Sequence, residues 1–260
     1  MNTTRACGCK SFRSCFQCEP ELGIVSLDPA QEKIDASKEK VHTFCTKCQR
    51  IFPGWDISNC GSHPGEGSVF PGIQFFHEFV SAEEEADLVR DLDSLPWDLS
   101  QSGRRKQNFG PRANFKKQKT KPGNFAGFPI CTKFIQDRFS SVSEYLEDYR
   151  TVEQCSIEYK PETGSCIEPH IDDVWVWGER IVQLNLLSDS VLTFFPYLGG
   201  DDRYNLSDVK TYPQITEPST GHVRFNPFKQ KLVAGKLRQY FTSRFKSLYL
   251  LLLLTVKLVI

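Results

Sequence analysis

His170 and Asp172 carry the most chemical content in this sequence. They close the run Cys155-Ser-Ile-Glu-Tyr-Lys-Pro-Glu-Thr-Gly-Ser-Cys-Ile-Glu-Pro-His-Ile-Asp-Asp173. In an extended segment, side chains two residues apart leave the same face, so a His-x-Asp pair presents one imidazole and one carboxylate together. Those are two of the three ligands of the facial triad that holds non-haem Fe(II) and keeps positions open for a co-substrate and oxygen. The third ligand should be a histidine further along. The one histidine after His170 is His222, in Ser219-Thr-Gly-His-Val-Arg-Phe-Asn-Pro-Phe228, where the glycine and proline read as a loop. Taken alone the triplet is a weak signal, because a surface histidine following Pro169 would look the same.

Sulfur supplies a second group of ligands. Cys7-x-Cys9, Cys15-x2-Cys18 and Cys45-x2-Cys48 hold six of the ten cysteines. The opening Met-Asn-Thr-Thr-Arg-Ala-Cys-Gly-Cys has no apolar core, so no signal peptide is readable. Reduced thiols in an intracellular chain of the cytoplasm and nucleus are expected, and clustered thiols become zinc-ligand candidates. Cys7, Cys9, Cys15 and Cys18 suffice for one tetrahedral ion. Cys15, Cys18, Cys45 and Cys48 would equally make a two-knuckle ribbon. Spacing leaves both open, beside the plainer reading of free thiols in a loose segment. Cys60 reads as a loop thiol, and Cys131, Cys155 and Cys166 as core residues.

Lysine plus arginine equals aspartate plus glutamate at 32 each, so net charge excludes nothing. The distribution is more informative. Arg104, Arg105, Lys106, Arg112, Lys116, Lys117, Lys119 and Lys121 follow one another with no acid between them, interleaved with Phe109 and Phe115. Such a stretch suits phosphate contacts with base stacking, an acidic protein surface, or simply a solvated loop.

Several elements must position these residues. The Gly- and Ser-rich stretch 59–68 separates a cysteine-rich segment, 1–65, from a domain expected over 69–200. Val69–Val80 reads as a strand leading to a helix. Ser81 with Glu84 forms a capping box, and Ala86, Leu88, Val89 and Leu92 supply the apolar face. Trp97–Phe128 reads as long loops or a hairpin. Ile130–Tyr149 predicts a second helix with Ile135, Phe139, Val142, Leu146 and Tyr149 on one face. Glu153–Lys160 alternates as a strand with Cys155, Ile157 and Tyr159 on one side, followed by strands over Arg180–Leu187 and Val191–Tyr197. Helices followed by strands predict an α+β class. A loop over 201–228 and a basic, apolar tail over 229–260 complete the chain. The tail's leucine run, Leu248–Val256, is far shorter than the ~20 residues a membrane-spanning helix needs, so no stable membrane insertion is expected.

Several longer motifs raise the His-x-Asp pair above chance. They are Cys7-Gly-Cys-Lys with Cys15-x2-Cys18, Trp97-Asp-Leu-Ser-Gln-Ser-Gly-Arg-Arg-Lys-Gln-Asn-Phe-Gly-Pro111, Val152-Glu-Gln-Cys, Pro169-His-Ile-Asp-Asp-Val-Trp-Val-Trp-Gly-Glu-Arg180 and Gln183-Leu-Asn-Leu-Leu-Ser188. In this order they closely resemble the AlkB family of Fe(II)/2-oxoglutarate-dependent dioxygenases, over roughly residues 5–195. The resemblance implies a double-stranded β-helix, a jelly roll with packing helices, expected to be incomplete at the C-terminus and preceded by the cysteine-rich segment. It implies His170 and Asp172 as iron ligands, Tyr159 as a 2-oxoglutarate contact, and Arg104, Arg105, Lys106 and Phe109 in a substrate lid. The reaction it implies is oxidative N-demethylation: 2-oxoglutarate is decarboxylated to succinate while the methyl group leaves as formaldehyde.

The family places its distal histidine and a 2-oxoglutarate-binding arginine on late strands. His222 and Arg224 are the candidates here, and the loop around them fits that role poorly. Two functional readings therefore stand side by side. One is an oxidative N-demethylase of methylated protein lysine, as in actin, or of a methylated DNA or RNA base such as N6-methyladenine. The other is a catalytically inactive, zinc-containing interaction module. A monomer is expected for either.

Overall fold

The computed structural model describes residues 5–10, 13–23, 42–54, 60–63, 65–70, 73–167, 172–178 and 180–196, and the backbone of 237–240, 249–254 and 258–259. The chain divides into two compact units. One contains residues 1–35 and 87–168, the other residues 36–86 and 169–260. The cysteine-rich stretch 1–65 thus contributes to both. The elements are helices and mainly antiparallel strands, in keeping with an α+β composition.

In the first unit, the short helix α1 (Glu19–Leu22) follows the first cysteines. Strands β5 (Asp98–Leu99), β6 (Arg105–Phe109) and β9 (Gln154–Glu158) form a three-stranded antiparallel sheet, and β7 (Arg112–Asn114) pairs with β8 (Lys119–Lys121) as a separate hairpin. The hairpin reading of Trp97–Phe128 therefore resolves into two hairpins. Helix α2 (Ala82–Asp93) starts at the expected capping box: the Glu84 N–H donates to Ser81 Oγ at 3.1 Å, and the Ser81 N–H donates to Glu84 Oε2 at 2.8 Å. Leu88 and Leu92, one turn apart, are its buried residues. Ala86 lies on the exposed side, since the buried stripe is narrower than the apolar pattern suggested.

The helix expected over Ile130–Tyr149 is interrupted. A 3-10 turn (Ile130–Thr132) leads into α3 (Lys133–Val142), and a second 3-10 turn (Glu144–Leu146) follows. Ser143 breaks the run by taking extended backbone, φ −156° and ψ 137°, with its Oγ accepting from the Tyr145 N–H. The predicted face survives the break: Phe139 and Leu146 are buried, and Phe139 meets Tyr149 edge to face at 5.4 Å.

Register in the β6–β9 pair is held by polar groups. Arg105 stands directly opposite Glu158 and contacts it bidentately, Nε to Oε2 and Nη2 to Oε1, both 2.7 Å. Arg105 Nη2 also reaches Asp93 at 3.0 Å, and its guanidinium lies 4.3 Å from the Trp97 ring. Gln107 is buried, and its amide donates to the Leu92 and Leu95 carbonyls at 2.7 and 3.2 Å. The Leu92 carbonyl also accepts from the Leu95 N–H at 3.1 Å, so the Gln107 amide adds a further bond there and ties β6 to the end of α2. Cys155 is exposed rather than in the core, because it pairs with the exposed Asn108 on an uncovered part of the sheet.

In the second unit, a six-stranded sheet runs β14-β11-β12-β1-β2-β3 and a three-stranded sheet runs β10-β13-β4. Their ranges are β1 (His42–Cys45), β2 (Arg50–Pro53), β3 (Ser68–Val69), β4 (Ile73–His77), β10 (Arg180–Asn185), β11 (Val191–Pro196), β12 (Leu237–Tyr240), β13 (Tyr249–Leu254) and β14 (Leu258–Val259). The leucine run of the tail is β13, paired on one edge with β10 and on the other with β4. No described helix is long and apolar enough to cross a membrane.

The Arg105–Glu158 pair generates a pH-dependent prediction. The hydrogen bonds from Arg105 hold the Glu158 carboxyl below its ordinary 4.5, against the opposing effect of burial. A depressed folded pKa contributes stability that is present above the unfolded value and lost as pH falls through the folded one. Glu158→Gln should therefore cost about 1 kcal/mol at pH 7 for this partly exposed, bidentate pair. Chemical denaturation at pH 7 and at pH 3 should show the difference between variant and wild type shrinking in acid.

Candidate functional site

Two groups of metal-ligating side chains converge among the described residues, one in each unit. In the first unit these are Cys7, Cys9, Cys15 and Cys18; in the second, Cys45, Cys48, Cys60 and His63. Within each group, all four ligand atoms lie within 4.8 Å of one another. Cys15 and Cys18 thus close with Cys7 and Cys9 rather than forming a ribbon with Cys45 and Cys48. Cys60 is an exposed thiol on a turn, as expected, and its sulfur lies close to the other three ligand atoms. His63 was missed, although Cys60-x2-His63 repeats the two-residue spacing of Cys45-x2-Cys48.

The first cluster is built by tight turns. The Cys18 N–H donates to the Cys15 carbonyl at 3.0 Å, and the Cys15 and Cys18 sulfurs lie 4.0 Å apart. Gly8 sits at φ +86°, where a Cβ would fall 2.9 Å from the Ser100 carbonyl oxygen. Only glycine allows that approach cheaply. The Ser102 N–H donates to Cys9 Sγ at 3.2 Å. Burial pushes the Cys9 thiol up to about 12, with the backbone N–H groups of Gly103 and Ser102 opposing. Burial acts upward on Cys7 too, but hydrogen bonds from the Cys9 backbone and the neighbouring thiols bring it below its ordinary value. Four mutually close thiols with N–H donors on sulfur are a soft tetrahedral donor set and can hold an ion such as zinc, which would replace the protons burial retains.

This cluster is fastened to the strand that carries Tyr159. The Phe16 N–H donates to the Thr163 carbonyl at 3.1 Å. Thr163 Oγ1 and Ser165 Oγ donate to the Gly103 carbonyl at 2.8 and 2.6 Å. The turn after β9 and the loop before β6 are therefore clamped together beside the thiols. The Tyr159 ring is 46% exposed, but its hydroxyl end is shielded enough that burial raises its pKa, while the Arg104 guanidinium, 6.0 Å from the ring centroid, acts the other way.

The residues expected to hold iron and 2-oxoglutarate are described only in part. Tyr159 lies in the first unit. Asp172 lies in the second, half-buried just before the helical turn α4 (Val174–Trp177). Asp173 starts that turn, its backbone carbonyl accepting from the Val176 N–H at 3.3 Å. His170, His222 and Arg224 lie outside the described residues. A carboxylate with imidazoles suits Fe(II), whereas the two thiol-rich clusters suit zinc, so the two kinds of site differ in ligand type.

The basic residues expected in a substrate lid divide sharply. Arg104 is buried, its Nε donating to the Gln101 carbonyl at 3.1 Å, and Arg105 is committed to Glu158 and Asp93. Lys106 and Phe109 are half-buried on β6. Arg112, Lys116, Lys117, Lys119 and Lys121 are instead exposed on the β7–β8 hairpin, beside Phe115, itself 48% exposed.

No family model matches the chain. It is 33% identical over 204 residues to the DNA N6-methyl adenine demethylase of Caenorhabditis elegans, covering 73% of this chain and 69% of that one. It is also similar to the alpha-ketoglutarate-dependent dioxygenase alkB homolog 4 of Homo sapiens, 45% identical over 190 residues, and of Mus musculus, 43% identical over 201 residues. The chain belongs to the AlkB family. The matches cover 73% and 77% of this AlkB-family chain but only 60% and 64% of the two mammalian relatives, so it spans less than two thirds of their length. Family membership brings Fe(II) and 2-oxoglutarate as the cofactor and co-substrate of AlkB-family dioxygenases.

The clamp at Gly103 predicts how the first thiol cluster is felt. Structural zinc contributes on the order of 10 kcal/mol in zinc-finger peptides. Cys15→Ser should therefore unfold segment 13–23 and raise the hydrogen-exchange rate of β9 amides at least tenfold, read by exchange mass spectrometry. Unchanged β9 protection would show that the cluster does not support the strand.

Proposed function

We propose that this chain is an Fe(II)/2-oxoglutarate-dependent dioxygenase that oxidatively removes N-methyl groups from a nucleic-acid base. The observation that carries the substrate class is the β7–β8 hairpin, with five exposed cations, no acid and a half-exposed phenylalanine. Such a basic surface suits a phosphate backbone. The Caenorhabditis elegans relative, named for N6-methyladenine in DNA, supports the same class. The catalytic fold in this reading is the jelly roll of the family.

His170 and Asp172 are the proposed metal ligands, with His222 as third ligand and Arg224 at the co-substrate carboxylate. When bound, Fe(II) with 2-oxoglutarate and oxygen supplies the oxidising power for the methyl group. Tyr159 contributes a phenolic hydroxyl able to donate a hydrogen bond to a co-substrate carboxylate. The paired Arg105 leaves substrate contact to the hairpin cations and keeps β6 in register.

Two measurements test this reading. Anaerobic addition of Fe(II) and then 2-oxoglutarate should give the visible charge-transfer band of a chelated 2-oxo acid, absent in Asp172→Ala. No band in folded wild type would leave the zinc-bearing interaction module as the function. For substrate class, Lys116→Glu/Lys117→Glu/Lys119→Glu should lower affinity for a methylated single-stranded oligonucleotide. The slope of log affinity against log salt should become shallower by about two, since each single-strand phosphate contact contributes about 0.7. Fluorescence anisotropy across a salt series reads both. An unchanged slope, with turnover on methyl-lysine peptides, would assign the substrate to protein.

A further inference from the structure

We infer that Cys45, Cys48, Cys60 and His63 form a second, independent zinc site, a Cys3His knuckle pair that fixes the β1–β2–β3 end of the second unit. It rests on none of the residues proposed for the dioxygenase reaction.

The geometry begins with the β1–β2 hairpin. Cys45 ends β1, and the chain turns through Cys48 to re-enter at Arg50, with the Gln49 N–H donating to the Cys45 carbonyl at 2.8 Å. Gln49 takes φ 54°, the left-handed conformation that lets the turn fold back beneath its two sulfurs. The Arg50 backbone N–H faces the Cys48 sulfur. This is a knuckle: two sulfurs two residues apart, aimed at one point, with an N–H on one of them.

The second knuckle comes from the segment that leads into β3. Cys60 and His63 repeat the two-residue spacing, and their ligand atoms join those of Cys45 and Cys48 within 4.8 Å. Zinc with sulfurs at about 2.3 Å and nitrogen at about 2.0 Å requires ligand atoms roughly 3.5–3.8 Å apart, so small adjustments close the tetrahedron. The segment is anchored just after the ligands. Ile51 and Arg50 pair with Ser68 and Val69, and Arg50 Nη1 donates to the Gly67 carbonyl at 3.2 Å.

His63 supplies the independent observation. Both ring nitrogens are shielded from solvent, and among the described residues neither has a hydrogen-bond partner. A buried, unpartnered polar group costs roughly 1–3 kcal/mol, and a neutral imidazole has one N–H and one lone pair to satisfy. A zinc ion takes the lone pair. The ring is already oriented for it: His63 stacks on Phe52 with centroids 4.0 Å apart and planes inclined 28°. Phe52 is itself pinned from behind, since a Cβ at Gly67 would lie 2.5 Å from its ring. On binding, the three thiols release their protons to solvent and His63 coordinates as the neutral base.

The test uses the whole chain, purified under reducing conditions, in an Asp172→Ala background so that zinc at the proposed iron site does not enter the count. Elemental analysis should give two zinc ions per chain, falling to one in His63→Ala and in Cys60→Ser. His63→Cys should restore two, and cobalt substitution should then show its d–d bands moved toward those of a four-thiolate site. Cys15→Ser should also drop to one while keeping the His63-dependent ion, separating the two clusters. One zinc in the parent chain, or two retained in both His63→Ala and Cys60→Ser, would overturn the assignment. So would two fewer free thiols than the sequence contains, which would indicate a Cys45–Cys48 disulfide in place of a metal knuckle.

Discussion

Convergence of soft ligand atoms is the constraint on which the short strands of this chain depend. Strands β1, β2, β3 and β5 are only two to four residues long. Strands so short have little apolar surface to set against the entropy of ordering them. In both units the deficit falls beside four gathered ligands. In the first unit the thiols sit against the loop between β5 and β6; in the second they sit at the turn between β1 and β2. A metal at such a point holds several backbone segments at once, which small apolar clusters do poorly.

The arginine and lysine residues of 104–121 look uniform in sequence, yet they do different work. Arg105 is opposed by Glu158 across the sheet and flanked by Asp93, so its charge serves register. Arg104 is buried against backbone beside Tyr159. Only after Pro111 does the chain turn its cations outward, on a hairpin whose far strand is wholly exposed. Charge used to hold the sheet and charge presented to solvent are thereby separated by a few residues.

Much of this was legible in the sequence, for identifiable reasons. The capping box at Ser81 and Glu84 and the strand over Gln154–Glu158 are local signals, and they appear where expected. The break at Ser143 was hidden because Phe139, Leu146 and Tyr149 keep a helical spacing across it. Cys7, Cys9, Cys15 and Cys18 could be picked out as ligands, but their grouping could not. Choosing among ligand sets requires knowing which segments meet, and spacing does not carry that. His63 went unnoticed because a histidine in a Gly/Ser/Pro stretch resembles any other loop polar residue until its burial against Phe52 is seen. The role of Arg105 was equally invisible, since its partner lies 53 residues away.

The placement of β13 has a consequence for biosynthesis. Tyr249–Leu254 lies between β10 and β4, opposite Arg180–Asn185 on one side and Ile73–His77 on the other. As the chain leaves the ribosome, β4 emerges long before β13, and β10 emerges well before it. Both must wait with an open edge for the strand that will lie between them. Open edges are where nascent chains pair wrongly with one another. The leucine strand thus makes completion of that sheet a late event, and the interval before it arrives is when holding chaperones would matter to this protein.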